Sequence, residues 1–143
     1  MKIISHSLEE TEKIAQDFLN TLTPNEEGST IVYLQGDLGS GKTTFTQAVG
    51  KILQADSNIT SPTFVIEKFY KITHPYFDEL VHIDAYRLSG GAELLMIGWA
   101  DMVKNPRRIV FLEWPELVPD LATGKEKKIN FKFLNETERE IEL

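Results

Sequence analysis

Nine consecutive residues, Gly36-Asp37-Leu38-Gly39-Ser40-Gly41-Lys42-Thr43-Thr44, fit the pattern G-x-x-x-x-G-K-[ST] at every fixed position. Nothing else in the chain restricts its fold so strongly, because the pattern does its chemistry only where a strand leads in and a helix leads out. Glycines let consecutive backbone N–H groups turn inward around a polyphosphate without a Cβ clash. In that setting Lys42 reaches the β- and γ-phosphates, the Thr43 hydroxyl sits on Mg²⁺, and the positive end of the following helix adds to the attraction. The flanks supply the setting. Thr30-Ile31-Val32-Tyr33-Leu34 is a β-branched and apolar run, as a buried strand requires. Residues 43–53 carry Phe45, Val49, Ile52 and Leu53 at helical spacing and contain no Pro. Asp37, Leu38, Gly39, Ser40, Gly41, Lys42, Thr43 and Thr44 are therefore the candidates for holding a nucleotide.

The remaining periodicities place other elements around this unit. Residues 2–5 read as a short strand. Ser7 with Glu10 forms a capping box for a helix over 8–22, lined on one face by Ala15, Phe18, Leu19 and Leu22. Residues 63–72 read as a long strand, 80–84 as an apolar strand, 88–103 as a helix, and 108–112 as a fourth core strand. Residues 127–134 and 139–143 form a terminal hairpin around Asn135-Glu136. Alternating strands and helices predict an α/β fold: a P-loop NTPase-like three-layer sandwich, mainly parallel, with antiparallel additions at the C-terminal end. No repeat or linker divides the sequence, so residues 1–143 are expected to form a single domain.

A phosphate loop that holds Mg²⁺ needs a carboxylate at the end of a neighbouring strand, where ligands of open α/β sheets sit. Asp84 closes one apolar run and Glu113 closes another. We assign Glu113 to the metal or its water shell and Asp84 to water or metal, and count both with Lys42 as catalytic candidates. Asp84 belongs to a cluster, His82-x-Asp84-x-Tyr86-Arg87, in which His82, Asp84 and Tyr86 share one face of an extended segment. A catalytic His82 is one reading. A hydrogen-bonded structural His82 is favoured, because nucleotide hydrolysis needs positioning more than proton transfer. Arg87 either neutralises transition-state charge or makes a surface ion pair. Trp114 either closes on the nucleotide or packs, and Trp99 belongs to the core. Ser61-Pro62-Thr63 lies where nucleotide switches sense the γ-phosphate, though spacing alone favours a polar turn.

Charge and composition limit the partners. Fifteen Lys and Arg against 22 Asp and Glu give a net charge of −7. Such a chain does not hold a polyphosphate backbone by bulk electrostatics, so a nucleic-acid role must act through a local patch or a partner. There is no Cys, which excludes disulfides and thiol chemistry. The opening residues show no signal-peptide core, and no apolar run reaches bilayer length, so a cytoplasmic protein without membrane attachment is expected.

Taken in order, these motifs resemble the TsaE (YjeE) family of small bacterial P-loop ATPases. The resemblance rests on Gly-Asp-Leu-Gly-Ser-Gly-Lys-Thr-Thr at 36–44, Ser61-Pro62-Thr63-Phe64, His82-x-Asp84-x-Tyr86-Arg87-Leu88 and Glu113-Trp114-Pro115-Glu116, with an early Thr11 and a late Arg139-x-Ile141. It spans essentially the whole chain. Ser40 stands where many relatives carry Ala, and as a small residue it is expected to face outward from the loop. The resemblance implies an ATP-hydrolysing accessory role in making N6-threonylcarbamoyladenosine in tRNA, with ATP and Mg²⁺ as cofactors and a TsaB–TsaD pair as partner. It implies that Lys42 and Thr43 bind phosphate and Mg²⁺, that Glu113 supports Mg²⁺, and that Asp84 lies at the nucleotide. Thr63 would belong to a switch-like segment, Trp114 would border the pocket, and Thr11 and Arg139 would contact ATP outside the loop. The acidity fits, since the partners would hold most of the tRNA.

Three rivals stay open. A small-molecule kinase needs an acceptor pocket and an Arg-rich lid, for which little sequence remains. A GTPase switch lacks its N-K-x-D motif here. A nucleotide-bound binding module without turnover is not separable from a partner-activated ATPase, because the activating group can arrive in trans.

Overall fold

The computed structural model describes residues 1–60 and 66–143. The readings made for Ser61, Pro62, Thr63 and the start of the 63–72 strand fall outside those residues. The described chain forms one seven-stranded sheet with α-helices against it. Its elements are β1 (Lys2–Ser5), α1 (Leu8–Asn20), β2 (Thr30–Gln35), α2 (Lys42–Ile52), β3 (Glu67–Lys71) and β4 (Glu79–Asp84). They continue as α3 (Ala92–Met96), α4 (Trp99–Met102), β5 (Arg108–Glu113), β6 (Lys127–Phe133) and β7 (Arg139–Glu142). Two short 3₁₀ turns, Pro115–Leu117 and Pro119–Leu121, follow β5.

The sheet order is β1-β7-β6-β2-β5-β4-β3. Its centre, β6-β2-β5-β4, is parallel. The margins are antiparallel: β6-β7-β1 on one side, as the terminal hairpin predicts, and β3 on the other. The central strands β2, β4 and β5 are buried on both faces, which explains their near-continuous apolar sequences. β6 alternates between buried Ile129 and Phe131 and exposed neighbours, because only one face of that part of the sheet is covered.

Two cores result. On one face, α1 and α2 pack over Val32, Leu34, Ile109, Phe111, Ile129 and Phe131. On the other, Leu94, Trp99 and Met102 from α3 and α4 cover Tyr33, Val81, Ile83, Val110 and Leu112. The three layers thus follow from strand residues alternating between two helix sets. Phe45 is fully buried, edge-on to Phe18 at 6.2 Å and Phe131 at 5.5 Å and stacked near Phe111 at 6.4 Å. Truncating such a ring costs about 3–5 kcal/mol. That anchor lies two residues beyond Thr43, so the core fixes the start of α2.

Local differences from the sequence reading have clear causes. The helix expected over 88–103 is two short helices. It begins only at Ala92, after Gly90-Gly91, and breaks at Gly98, whose φ of +100° no helix interior tolerates. The capping box at α1 is displaced by one residue. Ser7 Oγ accepts from the Glu10 N–H at 3.1 Å, but the Glu10 carboxylate reaches the N–H of His6, at 2.6 Å. Among the described residues no helix is long and apolar enough to cross a membrane.

Candidate functional site

Three parallel strands end side by side. β2 runs into Gly36, β4 ends at Asp84 and β5 ends at Glu113, with Leu34 and Asp84 both in register with Glu113. The loop after β2 then folds across these ends. Gly36 has φ of +152°, and a Cβ there would lie 2.5 Å from the Phe131 carbonyl oxygen and 2.7 Å from Ser40 Oγ. Gly41 caps α2 in a left-handed conformation, φ +108°, and no side chain caps the helix. The first N–H groups of α2 therefore lack a side-chain partner, and no acidic residue stands in the first turn. This helix end keeps its affinity for an external anion.

Lys42 is buried, and its ammonium turns back on the loop. It donates to the Gly36 carbonyl and, at 3.0 Å, to that of Asp37, and lies 4.2 Å over the Trp114 ring. Burial lowers its pKa, and the charges of Glu113, Glu116, Asp84 and Asp37 oppose that shift. Trp114 takes a left-handed backbone, φ +61°, which is strained for a bulky residue and turns the chain sharply after Glu113. Its ring meets Tyr86 at 5.1 Å.

Glu113 is buried beneath this layer. Thr43 Oγ1 lies 3.4 and 3.3 Å from its two carboxylate oxygens, and His82 Nε2 lies 2.5 Å from Oε2. Two cis ligands of an octahedral Mg²⁺, each at about 2.0–2.1 Å, stand about 2.9 Å apart. The Thr43–Glu113 spacing fits such a pair with a small adjustment, and both donors are the hard oxygens that Mg²⁺ requires. Among the described residues no cluster of three or more His, Asp or Glu could hold a metal by itself. Asp84 accepts from the Tyr86 N–H at 3.0 Å. Burial raises its pKa and Glu113 adds to this, against the Tyr86 N–H, His82 and Lys42.

Two adjoining cavities share the loop. One, of about 370 Å³, is lined by residues 38–44 together with Asp84, Tyr86, Glu113, Trp114 and Arg139. The other, of about 330 Å³, lies between Ser40, Gly41 and Thr44 on one side and the start of α1 and the β6–β7 hairpin on the other. Thr11 lines it, with Oγ1 at 2.7 Å from Ser5 Oγ. Arg139 lines both. Its guanidinium stands 4.6 Å from the Phe133 ring and bonds the carbonyls of Asn135, at 2.5 Å, and Glu138, at 3.0 Å.

Most of the sequence candidates therefore converge. Leu38, Gly39, Ser40, Gly41, Lys42, Thr43, Thr44, Asp84, Glu113, Trp114, Arg139 and Thr11 border one cavity or both. Asp37 does not, and contributes its backbone carbonyl instead. Thr63 lies outside the described residues. Arg87 is exposed and lines neither cavity. Ser40 does not face outward. It is 1% exposed and its hydroxyl is buried without a hydrogen-bond partner among the described residues, because the turn at Gly36 folds the loop over it. His82 is fully buried, as the structural reading required, but its partner is the Glu113 carboxylate. Sequence reasoning left Ser5, Tyr86 and Phe131 out of the site. Tyr86 stood in the cluster with His82 and Asp84, a signal that was readable, but β4 ends at Asp84 and Tyr86 lies in the turn beyond it and not on a shared strand face. Ser5 and Phe131 carry none, since only the pairing of β1 with β7 and of β6 with β2 brings them to the loop.

Comparison with known proteins places this arrangement among relatives. The chain is 33% identical over 138 residues to the tRNA threonylcarbamoyladenosine biosynthesis protein TsaE of Rickettsia felis, covering 96% of this chain and 75% of that one. It is 42% identical over 89 residues to the protein of the same name from Streptomyces coelicolor, covering 60% and 57%. The crystal structure of Bacillus subtilis YdiB superposes with a TM-score of 0.67 at 29% identity, over 99% of this chain and 82% of that one. The fold is P-loop NTPase-like. The family model for the threonylcarbamoyl adenosine biosynthesis protein TsaE matches residues 5–141, and the chain belongs to the TsaE family.

Proposed function

We propose that this protein binds and hydrolyses ATP with Mg²⁺ as a single-domain accessory to tRNA threonylcarbamoyladenosine synthesis, switching a TsaB–TsaD-like protein pair in the cytoplasm. One observation carries the reading. The Lys42 ammonium, the Thr43 hydroxyl, the Glu113 carboxylate and the uncapped start of α2 all converge on the cavity at the carboxyl ends of three parallel strands.

The chemistry asked of these residues is positioning and charge neutralisation. Loop amides and the α2 N-terminus bind the phosphates. Lys42 exchanges its two loop carbonyls for phosphate oxygens. Thr43 and Glu113 would hold Mg²⁺, which supplies positive charge to the β- and γ-phosphates when bound. Asp84 orients water at the same strand ends. Thr11 and Arg139 border the second cavity, where the nucleoside would lie. The switch requires that one state of the protein assembly bind ATP better than the other. With a net charge of −7, this chain leaves most of the tRNA to its partners.

The test is ATP hydrolysis by the purified protein, alone and with a TsaB–TsaD pair. A strong increase with the pair supports the switch. Phosphoryl transfer to an added metabolite, independent of the pair, would move the assignment to a small-molecule kinase. Tight ATP binding with no turnover in either condition would make it a binding module.

A further inference from the structure

His82 is an unusual residue to find where it is. It sits in the middle of β4, in register with Phe111 of β5, and is 0% exposed. Its Nε2 lies 2.5 Å from Glu113 Oε2, while its Nδ1 has no hydrogen-bond partner among the described residues. A carboxylate only accepts, so Nε2 carries the proton and donates it. The other nitrogen is then buried without a hydrogen-bond partner among the described residues, a cost that an aliphatic side chain would avoid. Packing alone therefore does not account for an imidazole at this position.

Glu113 is the residue that gains. The terminal torsion of a glutamate is broad and two-fold, so an unrestrained carboxylate spreads its oxygens over many orientations. Thr43 Oγ1 is nearly equidistant from both oxygens and does not choose between them. The His82 bond does choose. It fixes Oε2 and leaves Oε1 free to coordinate. The imidazole itself is immobilised by the central strand that carries it.

We propose that His82 is a positioning residue that locks the Glu113 carboxylate in the orientation needed to bind Mg²⁺ beside Thr43. It acts on the metal through Glu113 and touches neither nucleotide nor ion. A hydrogen-bonded partner behind a metal-binding carboxylate changes metal affinity by about 10- to 100-fold. The inference rests on the Mg²⁺–ATP reading above, and the test separates the two.

His82→Gln and His82→Met have side chains of equal length, and only Gln offers an N–H where Nε2 stands. Mn²⁺ is titrated by electron paramagnetic resonance into each folded variant carrying a non-hydrolysable ATP analogue, and analogue binding is measured separately in chelator. Met should raise the half-saturating Mn²⁺ concentration about tenfold or more, Gln should stay within about threefold of wild type, and metal-free analogue binding should not change. Packing alone predicts the opposite order, with Met at least as good as Gln. Equal Mn²⁺ affinity in wild type and Met overturns the proposal. A variant-free measurement stands beside this. In wild type, the buried Nε2–H proton resonance of His82 should shift when Mg²⁺ is added to the analogue complex, and an unmoved resonance overturns the proposal. Wild type that binds no analogue with or without metal would instead remove the parent reading.

Discussion

Replacing Lys42 by Met keeps the length of the side chain and removes its charge. In the protein as it stands, the ammonium makes two hydrogen bonds to neutral carbonyls, those of Gly36 and Asp37, and one cation–π contact with Trp114. Binding a triphosphate exchanges the two carbonyls for anionic oxygens. Hydrogen bonds that involve a charged group are worth about 1.5–3 kcal/mol, and a bond between two charged groups belongs at the upper end of that range, so the exchange gains up to about 1.5 kcal/mol per bond, or up to about 3 kcal/mol. Loss of the cation–π contact returns up to about 1 kcal/mol. Lys42→Met should therefore weaken ATP binding by about 2–3 kcal/mol, roughly 30- to 150-fold in Kd. Fold stability should hardly change, because the same substitution removes a buried charge whose desolvation opposes its contacts. Titration calorimetry with Mg²⁺–ATP measures the first quantity and thermal unfolding the second. An affinity within threefold of wild type, in a variant that unfolds at the wild-type temperature, would refute the assignment of Lys42 to the phosphates.

Three further outcomes follow from neighbouring geometry. Nucleotide binding should draw Lys42 off the Trp114 ring and change tryptophan fluorescence; Trp114→Phe should abolish that change, while Trp99→Phe, which lines neither cavity, should leave it intact. Gly36→Ala should cost more than about 2 kcal/mol in urea unfolding, because its Cβ would meet the Phe131 carbonyl oxygen at 2.5 Å in a backbone conformation that favours glycine. Asp84 has a raised folded-state pKa, so its contribution to stability is fully present below the ordinary aspartate range and is lost as pH rises through the folded value. Asp84→Asn should accordingly be more stable than wild type at neutral pH, and the gap should close below about pH 4; a gap that persists in acid would refute the burial argument.

The elements around the loop were legible because each carries its own signal. The apolar run before Gly36 and the spaced apolar residues after Thr43 specify a strand and a helix whatever the rest of the chain does. Glu113 and Asp84 were legible as strand-end carboxylates. What escaped depends on tertiary geometry. The outward expectation for Ser40 failed because residue size says nothing about which way a loop turns, and Gly36 turns it inward. The long helix over 88–103 failed because its apolar residues were weighed without Gly98. The His82–Glu113 contact joins residues 31 apart in sequence through β4–β5 register, and one sequence does not print register. The second cavity was hidden for the same reason, since it needs both ends of the described chain brought to the loop.

The Phe45 ring has a mechanical consequence. It is seated against rings from α1, β5 and β6 at once, and it follows Thr43 by half a helical turn. Rigidity at the glycines is thus borrowed from aromatic stacking more than a turn's depth below them. Thinning that stack at Phe18 should loosen a surface that its own backbone does not help to form, and amide exchange at the start of α2 is where the slackening would first be felt.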